Sequence, residues 1–307
     1  MIQALCIMGP TASGKSALAL ALAARFGAEI VNADSMQVYA DLRILTARPT
    51  PAEAAAAPHH LYGCVDAAER FSVGAWIGAV RPVLAQIAAR GRLAILVGGT
   101  GLYFKALTEG LAATPPIPPD VRAALASRLL RDGAPGLHGE LAMRDPRAAA
   151  MLSPNDAPRI MRALEVFDAT GESILVWRDR NDPPILAAGA WAGVALAPPR
   201  ADLYARIDAR FAAMLSAGAL DEVAALAGRH LDPLLPCMKA HGAPALMAHL
   251  RGDMGLPGAA KLATQDTRNY AKRQFTWMRG QMPDWPQITA EDEAARVGAV
   301  LAQAGLS

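Results

Sequence analysis

The run Gly9-Pro10-Thr11-Ala12-Ser13-Gly14-Lys15-Ser16 decides how this chain is read. It fits the pattern GxxxxGK[ST], follows the apolar run Ala4 to Met8, and opens the Ala/Leu-rich stretch Ser16 to Phe26. Strand, glycine turn and helix in that order are the setting in which such a loop holds phosphate. The glycines let the backbone curl so that successive N–H groups and the helix start face one anion. Lys15 adds a point charge, and Ser16 adds a hydroxyl suited to Mg2+. The ligand expected on Gly9 to Ser16 is therefore a diphosphate or a triphosphate.

Outward from the loop, further apolar runs at Glu29 to Asn32 and Leu93 to Val97 alternate with a helical pattern at Val73 to Arg90, closed by Gly91. That alternation predicts a parallel α/β sheet. Four prolines between Leu111 and Asp120 mark a boundary, and from Val121 to about Arg178 the pattern is helical, with caps expected at Asp120, Asp145 and Asn155. A second Pro/Gly-rich stretch precedes a strand expected at Gly193 to Ala197, and the remainder reads as helical. The expected organisation is a core of residues 1–112 and 190–307, interrupted by an all-α insertion of residues 113–189.

Composition excludes several classes. Apolar residues make up 53% and charged residues 19%, with a mean hydropathy of +0.19, so the chain is globular rather than disordered. No apolar stretch reaches the roughly 18 residues of a spanning helix, and no basic region precedes Ala17 to Ala24, so neither a membrane span nor a signal peptide is expected. A cytoplasmic monomer is the expectation. Cys6, Cys64 and Cys237 contain no CxxC pair and read as ordinary buried thiols. A net charge of +2 gives no global field for nucleic acid, yet Thr267 to Pro283 carries Arg268, Lys272, Arg273 and Arg279 with no acid.

The other strand ends decide which phosphate chemistry is expected. An ATPase or GTPase places an Asp at a strand end to hold Mg2+. The strand Leu93 to Val97 ends instead in Gly98-Gly99-Thr100-Gly101. The run ADSMQVY after Asn32 puts Asp34 at the carboxyl edge of the sheet, beside the loop. Asp34 is a turn residue, a metal partner or a proton acceptor; next to an anion site a carboxylate favours the last two.

These segments resemble a known family. GPTASGKS, ADSMQVY, TARP at Thr46 to Pro49, APHHL at Ala57 to Leu61 and LVGGTGLYFKAL at Leu96 to Leu107 are similar to the tRNA dimethylallyltransferases, also called tRNA isopentenyltransferases. The resemblance continues through DPRAAAMLSPNDAPRIMRALEV at Asp145 to Val166, IDARF at Ile207 to Phe211 and TRNYAKRQFTWMR at Thr267 to Arg279. It implies a P-loop NTPase-like parallel sheet flanked by helices, with the helical insertion gripping the tRNA anticodon arm. The loop would hold the diphosphate of dimethylallyl diphosphate, and the acceptor would be N6 of the adenosine immediately 3′ of the anticodon. Asp34 matches the general base and Thr100 its hydroxyl partner; Lys15, Arg210 and Ser16 with Mg2+ would neutralise the leaving diphosphate.

The resemblance also implies tRNA contacts from Asp34, Ser35, Met36, Gln37 and Thr100 around the adenine, with Gln37 offering its amide to base edges. Arg122, Pro158, Arg159, Ile160, Met161 and Arg162 are the matching contacts in the insertion, and Arg268 and Lys272 those on the last long helix. Tyr270 and Trp277 could stack bases but read first as core, and His59 and His60 read as structural or pocket-lining. Met238 to Pro244 departs from the family pattern, with Ala243 and Pro244 where a tyrosine and a basic residue are usual. The chain reads as the bacterial type, ending without a Cys/His zinc finger. The rival expectation is a P-loop small-molecule or nucleoside kinase, which also needs a loop lysine, an Asp base and Mg2+. A non-enzymatic RNA-binding protein would leave the complete phosphate loop unexplained.

Overall fold

The computed structural model describes residues 2–290 and 292–306; Met1, Glu291 and Ser307, which the expected core range includes, lie outside them. The apolar run before the loop is β1 (Ala4–Met8), followed by α1 (Lys15–Phe26), β2 (Glu29–Asn32), α2 (Pro51–Ala56), β3 (His59–His60), α3 (Val73–Ala89), β4 (Ala94–Gly98) and α4 (Gly101–Thr108). The insertion holds β5 (Leu111–Ala112), α5 (Pro119–Arg144), α6 (Pro146–Ala150), α7 (Ala157–Thr170), α8 (Ile174–Arg178) and β6 (Asn181–Asp182). The chain then adds β7 (Trp191–Leu196), α9 (Arg200–Ser216), α10 (Ala219–Gly228), α11 (Ala243–Leu250), α12 (Leu256–Gln281), β8 (Gln287–Ile288) and α13 (Glu293–Ala304).

Six strands pair in the order β3-β2-β4-β1-β7-β8, every pairing parallel. Strands β1, β2 and β4 are buried along their whole length, as parallel strands covered on both faces must be. Alternation within β1 serves two cores: Ala4, Cys6 and Met8 join one, Leu5 and Ile7 the other. Placing β4 between β1 and β2 reverses the winding at β1, so the carboxyl ends of β1, β2 and β4 are neighbours at the switch point where open α/β sheets bind ligands. Glu29, buried in β2, is held by Arg90 at 2.7 and 2.9 Å and by His60 at 2.7 Å, which gives His60 a structural role, while His59 lines a small pocket beside α1. Cys6 and Cys237 are buried, whereas Cys64, expected to be buried, is exposed on the loop after β3.

The chain separates into two compact units, Met1–Thr108 with Ile185–Ser307, and Glu109–Pro184. The second begins earlier in sequence than expected because β5 pairs antiparallel with β6, and it ends earlier because Ile185 and Leu186 already pack in the core of the first. That ladder is also the one departure from an all-α insertion among the described residues. Leu125, Leu137, Leu141, Ile160, Ala163 and Leu164 form its core. Asp145 caps α6 as expected; α7 is capped by Asp156 rather than Asn155, and α5 starts from Pro118, leaving Asp120 in its first turn.

Candidate active site

The phosphate loop closes on Gly14, whose φ of +89 lets the turn pass directly into α1. The first internal bond of that helix runs from Leu18 N–H to Gly14 O at 3.2 Å, so the N–H groups of its first turn remain available to an anion. Lys15 Nζ donates to Pro10 O at 3.2 Å across the loop. Burial lowers the Lys15 pKa to about 8, with Asp34 pulling it up and Arg210 pushing it down. Arg210, reaching in from α9, donates to the Thr11 hydroxyl, and burial lowers its pKa as well. Its neighbours Ile207, Phe211 and Met214 at helical spacing are buried, so packing of the apolar stripe delivers the guanidinium to the loop.

The ends of β2 and β4 meet because Gly98 carries no side chain: a Cβ there would lie 1.9 Å from Ala33 O. Ala33 N–H donates to Val97 O at 2.9 Å and Thr100 N–H to Ala33 O at 3.3 Å, which sets Asp34 beside Thr100. Asn32 shapes the turn, accepting from Asp34 N–H at 2.9 Å and donating to Asp34 O at 3.0 Å. Asp34 Oδ1 accepts from Met36 N–H at 2.9 Å. The Thr100 hydroxyl accepts from Ser35 N–H at 2.9 Å and donates to Ser35 Oγ at 3.2 Å.

Two cavities adjoin the loop. The inner pocket is lined by Thr11, Asp34, Met36, Leu45, Ile207, Arg210, Phe211, Met214, His241 and Tyr270, among others, and has about 60 Å³ of room. The outer cleft, about 580 Å³, is lined by Ser13 to Ser16 of the loop with Arg43, Arg48, Arg206 and Arg210. The anion-facing part of the loop thus opens into the outer cleft and the Asp34 carboxylate into the inner pocket, with Arg210 and Met214 lining both.

The residues expected to act chemically are thus brought together: Lys15, Asp34, Thr100 and Arg210 share one site with the loop. Several expected tRNA contacts are placed differently. Both amide hydrogens of Gln37 go to the carbonyls of Thr46 and Ala47 at 2.8 Å, so they brace a loop rather than offer themselves to a base. Ile160 is fully buried in the insertion core and Met161 packs against it, since they continue the apolar face of α7. Arg122 and Arg162 each lie 3.4 Å from Glu165, Arg159 lies 3.1 Å from Asp156, and Pro158 is exposed in the first turn of α7. Arg268 pairs with Asp208 and lies over the Tyr204 ring, whereas Lys272 is exposed. Ala243 is fully buried, so that position faces the core, not tRNA, while Pro244 is exposed.

Two further side chains belong to the site. Tyr270, expected in the core or stacked on a base, lines the inner pocket against the His241 ring at 4.2 Å; burial and Asp34 raise its pKa, while burial and then Arg273 lower that of His241. Gln274 is buried between the loop and β4, and its one legible signal was a polar residue on the stripe that buries Ala271 and Met278. Trp277 packs against the core as expected.

Two family models match the chain, IPP transferase over residues 37–281 and isopentenyl transferase over residues 2–61. A tRNA dimethylallyltransferase of Rhodopseudomonas palustris is 59% identical over 298 residues, covering 97% of this chain and 93% of the relative. Among solved structures, the full-length tRNA isopentenylpyrophosphate transferase of Bacillus halodurans superposes with a TM-score of 0.70 at 32% identity, covering 98% of this chain and 94% of that one. A eukaryotic dimethylallyltransferase acting on tRNA superposes with a TM-score of 0.80 at 26% identity, covering 96% and 75%.

Proposed function

The chain belongs to the IPP transferase family, and from that premise we propose that it moves a dimethylallyl group from dimethylallyl diphosphate to N6 of the adenosine immediately 3′ of the anticodon of tRNA. It is a prenyltransferase that acts on tRNA, like the relatives it matches along nearly its whole length. No helix of the described residues is long and apolar enough to cross a membrane, and we take the enzyme to work as a cytoplasmic monomer.

One observation supports the mechanism: Thr11 of the phosphate loop, Arg210 and the Asp34 carboxylate line one inner pocket, and Arg210 also lines the outer cleft onto which Lys15 and Ser16 open. The diphosphate lies on the loop N–H groups, Lys15 and Arg210, whose charges meet the negative charge that grows as the allylic C–O bond breaks. The five-carbon chain lies in the inner pocket, against Ile207, Phe211 and Met214. N6 attacks the allylic carbon, the C–O electrons leave with diphosphate, and the N6 proton passes to Asp34. An exocyclic amine conjugated with its ring is a weak nucleophile, which is why a base must take that proton as the bond forms. The adenine leaves the anticodon stack to enter, as bases do in enzymes that act on them. Thr100 holds Ser35 and with it the turn that presents Asp34.

Mg2+ fits this donor set. Among the described residues no group of three or more His, Cys, Asp or Glu forms a metal cage. Mg2+ at phosphate sites needs only one or two protein oxygens beside substrate phosphates and water, and the exposed Ser16 hydroxyl at the start of α1 supplies one. Bound there, the ion would offset charge on the leaving diphosphate.

The deciding experiment incubates the protein with unmodified tRNA and either dimethylallyl diphosphate or ATP and weighs the resulting nucleosides. A prenyl mass gain on adenosine with the diphosphate alone is expected. Phosphate transfer from ATP would instead establish the kinase.

A further inference from the structure

Residues 42–48 form a turn-rich loop between the two cavities. Leu45 and Thr46 line the inner pocket; Arg43, Ile44, Ala47 and Arg48 line the outer cleft; Arg210 and Met214 line both. This loop is fastened on two sides. Glu222, on α10, accepts three successive backbone N–H groups, those of Arg43 at 2.5 Å, Ile44 at 2.8 Å and Leu45 at 2.8 Å, using both carboxylate oxygens. Gln37 holds the following two carbonyls. Within the loop, Ala47 sits at φ +55, a conformation a residue with a Cβ adopts only when its surroundings hold it.

Three consecutive N–H groups in a turn make an anion-binding concavity. Here the protein's own carboxylate fills it, so its effect is to fix where Leu45 stands. Leu45 is 7% exposed, and Gly242 leaves room for it: a Cβ at Gly242 would lie 3.1 Å from Leu45 Cδ1. Of the apolar walls, Ile207, Phe211 and Met214 stand on α9 and Met36 and Ala240 on other segments, while Leu45 stands on a loop whose backbone depends on Glu222. Leu45 is thus the apolar wall of the inner pocket whose place is set by a distant carboxylate.

We propose that Glu222 is a positioning residue that sets donor chain length, pinning Arg43 to Leu45 so that Leu45 limits the inner pocket to five carbons. The proposal rests on the prenyl-transfer reading and is tested so that the two can fail separately. Transfer to unmodified tRNA is measured with dimethylallyl diphosphate and with geranyl diphosphate for the wild type, Glu222→Gln, Glu222→Asp and Leu45→Ala, alongside thermal melts. Glutamine keeps the size but turns an amide N–H toward a backbone N–H. The ratio of kcat/KM for the ten-carbon over the five-carbon donor should rise about tenfold or more in Glu222→Gln and Leu45→Ala, and less in Glu222→Asp. A fall with both donors by a common factor is what a purely structural Glu222 produces, and it overturns the proposal. If Glu222→Gln does not fold, an unchanged ratio in Leu45→Ala and Glu222→Asp overturns it equally. A wild type that prenylates tRNA with neither donor refutes the underlying reading instead.

Discussion

The backbone N–H of Thr11 donates to Gln274 Oε1 at 2.9 Å, tying the phosphate loop to the middle of α12 across 263 positions of sequence. Nε2 of the same side chain donates to Gly99 O at 2.8 Å. One buried amide therefore sets the spacing between the ends of β1 and β4, from which the anion site and Thr100 emerge. It also joins the helix that carries Tyr270 and Lys272 to the part of the sheet where the chemistry occurs.

Gln274→Leu should disturb both stability and donor binding. It leaves the Thr11 N–H and the Gly99 carbonyl without partners, at about 1–3 kcal/mol for each buried group. The denaturation midpoint should fall at constant slope, and KM for the donor should rise because the loop N–H groups lose their alignment. An unchanged KM would show that α12 does not shape the loop.

Donor binding should also respond to pH through Lys15, whose pKa burial lowers to about 8. Below that pH the ammonium is charged and meets the diphosphate; above it, KM for the donor should climb by about tenfold per unit as the binding-competent fraction falls. Folding responds with the opposite sign. An unfolded lysine keeps its proton to about pH 10.4, so between about 8 and 10.4 the unfolded state binds more protons and this group's contribution to stability rises with pH. A flat donor KM across that window would remove Lys15 from the binding contacts.

What could be read in advance follows the range of the interactions involved. The limits of β1 and β2 were legible because uninterrupted apolar runs end at turns, and the phosphate loop because its residues act through their own backbone. The β5–β6 ladder was not, since two residues pairing with two others some seventy positions away leave no local pattern. Glu222 and Gln274 stayed invisible for the same reason: their partners are distant backbone groups that no residue type identifies. The pairing of Arg268 with Asp208 was equally hidden, because a basic helix face looks solvent-directed until α9 is brought against it. Arg210 was found only through the family resemblance, since its approach to the loop depends on how α9 packs.

On α12, Lys272 and Arg268 should therefore behave differently toward tRNA. Lys272 is exposed, and no ion pair among the described residues includes it. Lys272→Ala should reduce the dependence of log affinity on log salt by about 0.7–0.9 without altering stability. Arg268→Ala strips a partner from the half-exposed Asp208, so it should change the slope less and lower stability by under about 1 kcal/mol. An unchanged slope in Lys272→Ala would make this face solvent only.

Ala243 and Pro244 separate likewise. Ala243→Tyr forces a ring into a fully buried site at the start of α11, and overpacking of this kind costs about 1–3 kcal/mol. Pro244→Arg, on the exposed side of the same turn, should stay within about 0.5 kcal/mol of the wild type. Melting curves of the two variants check this, and an Ala243→Tyr protein as stable as the wild type would mean that the pocket around Gly242 can open.

Asp34→Asn tests the base assignment most directly. Asparagine keeps the size of the side chain and an Oδ1 that can still accept the Met36 N–H, so the turn after β2 should persist. It cannot take the N6 proton, and kcat should fall by about 10²- to 10⁴-fold while tRNA and donor still bind. Lys15→Ala should instead weaken donor binding together with turnover, because its charge meets the diphosphate in both the ground state and the transition state. Near-normal turnover of Asp34→Asn at saturating donor would reduce Asp34 to a turn residue. Loss of donor binding in the presence of Mg2+, with tRNA binding retained, would make Asp34 a metal partner and leave the N6 proton to the departing diphosphate.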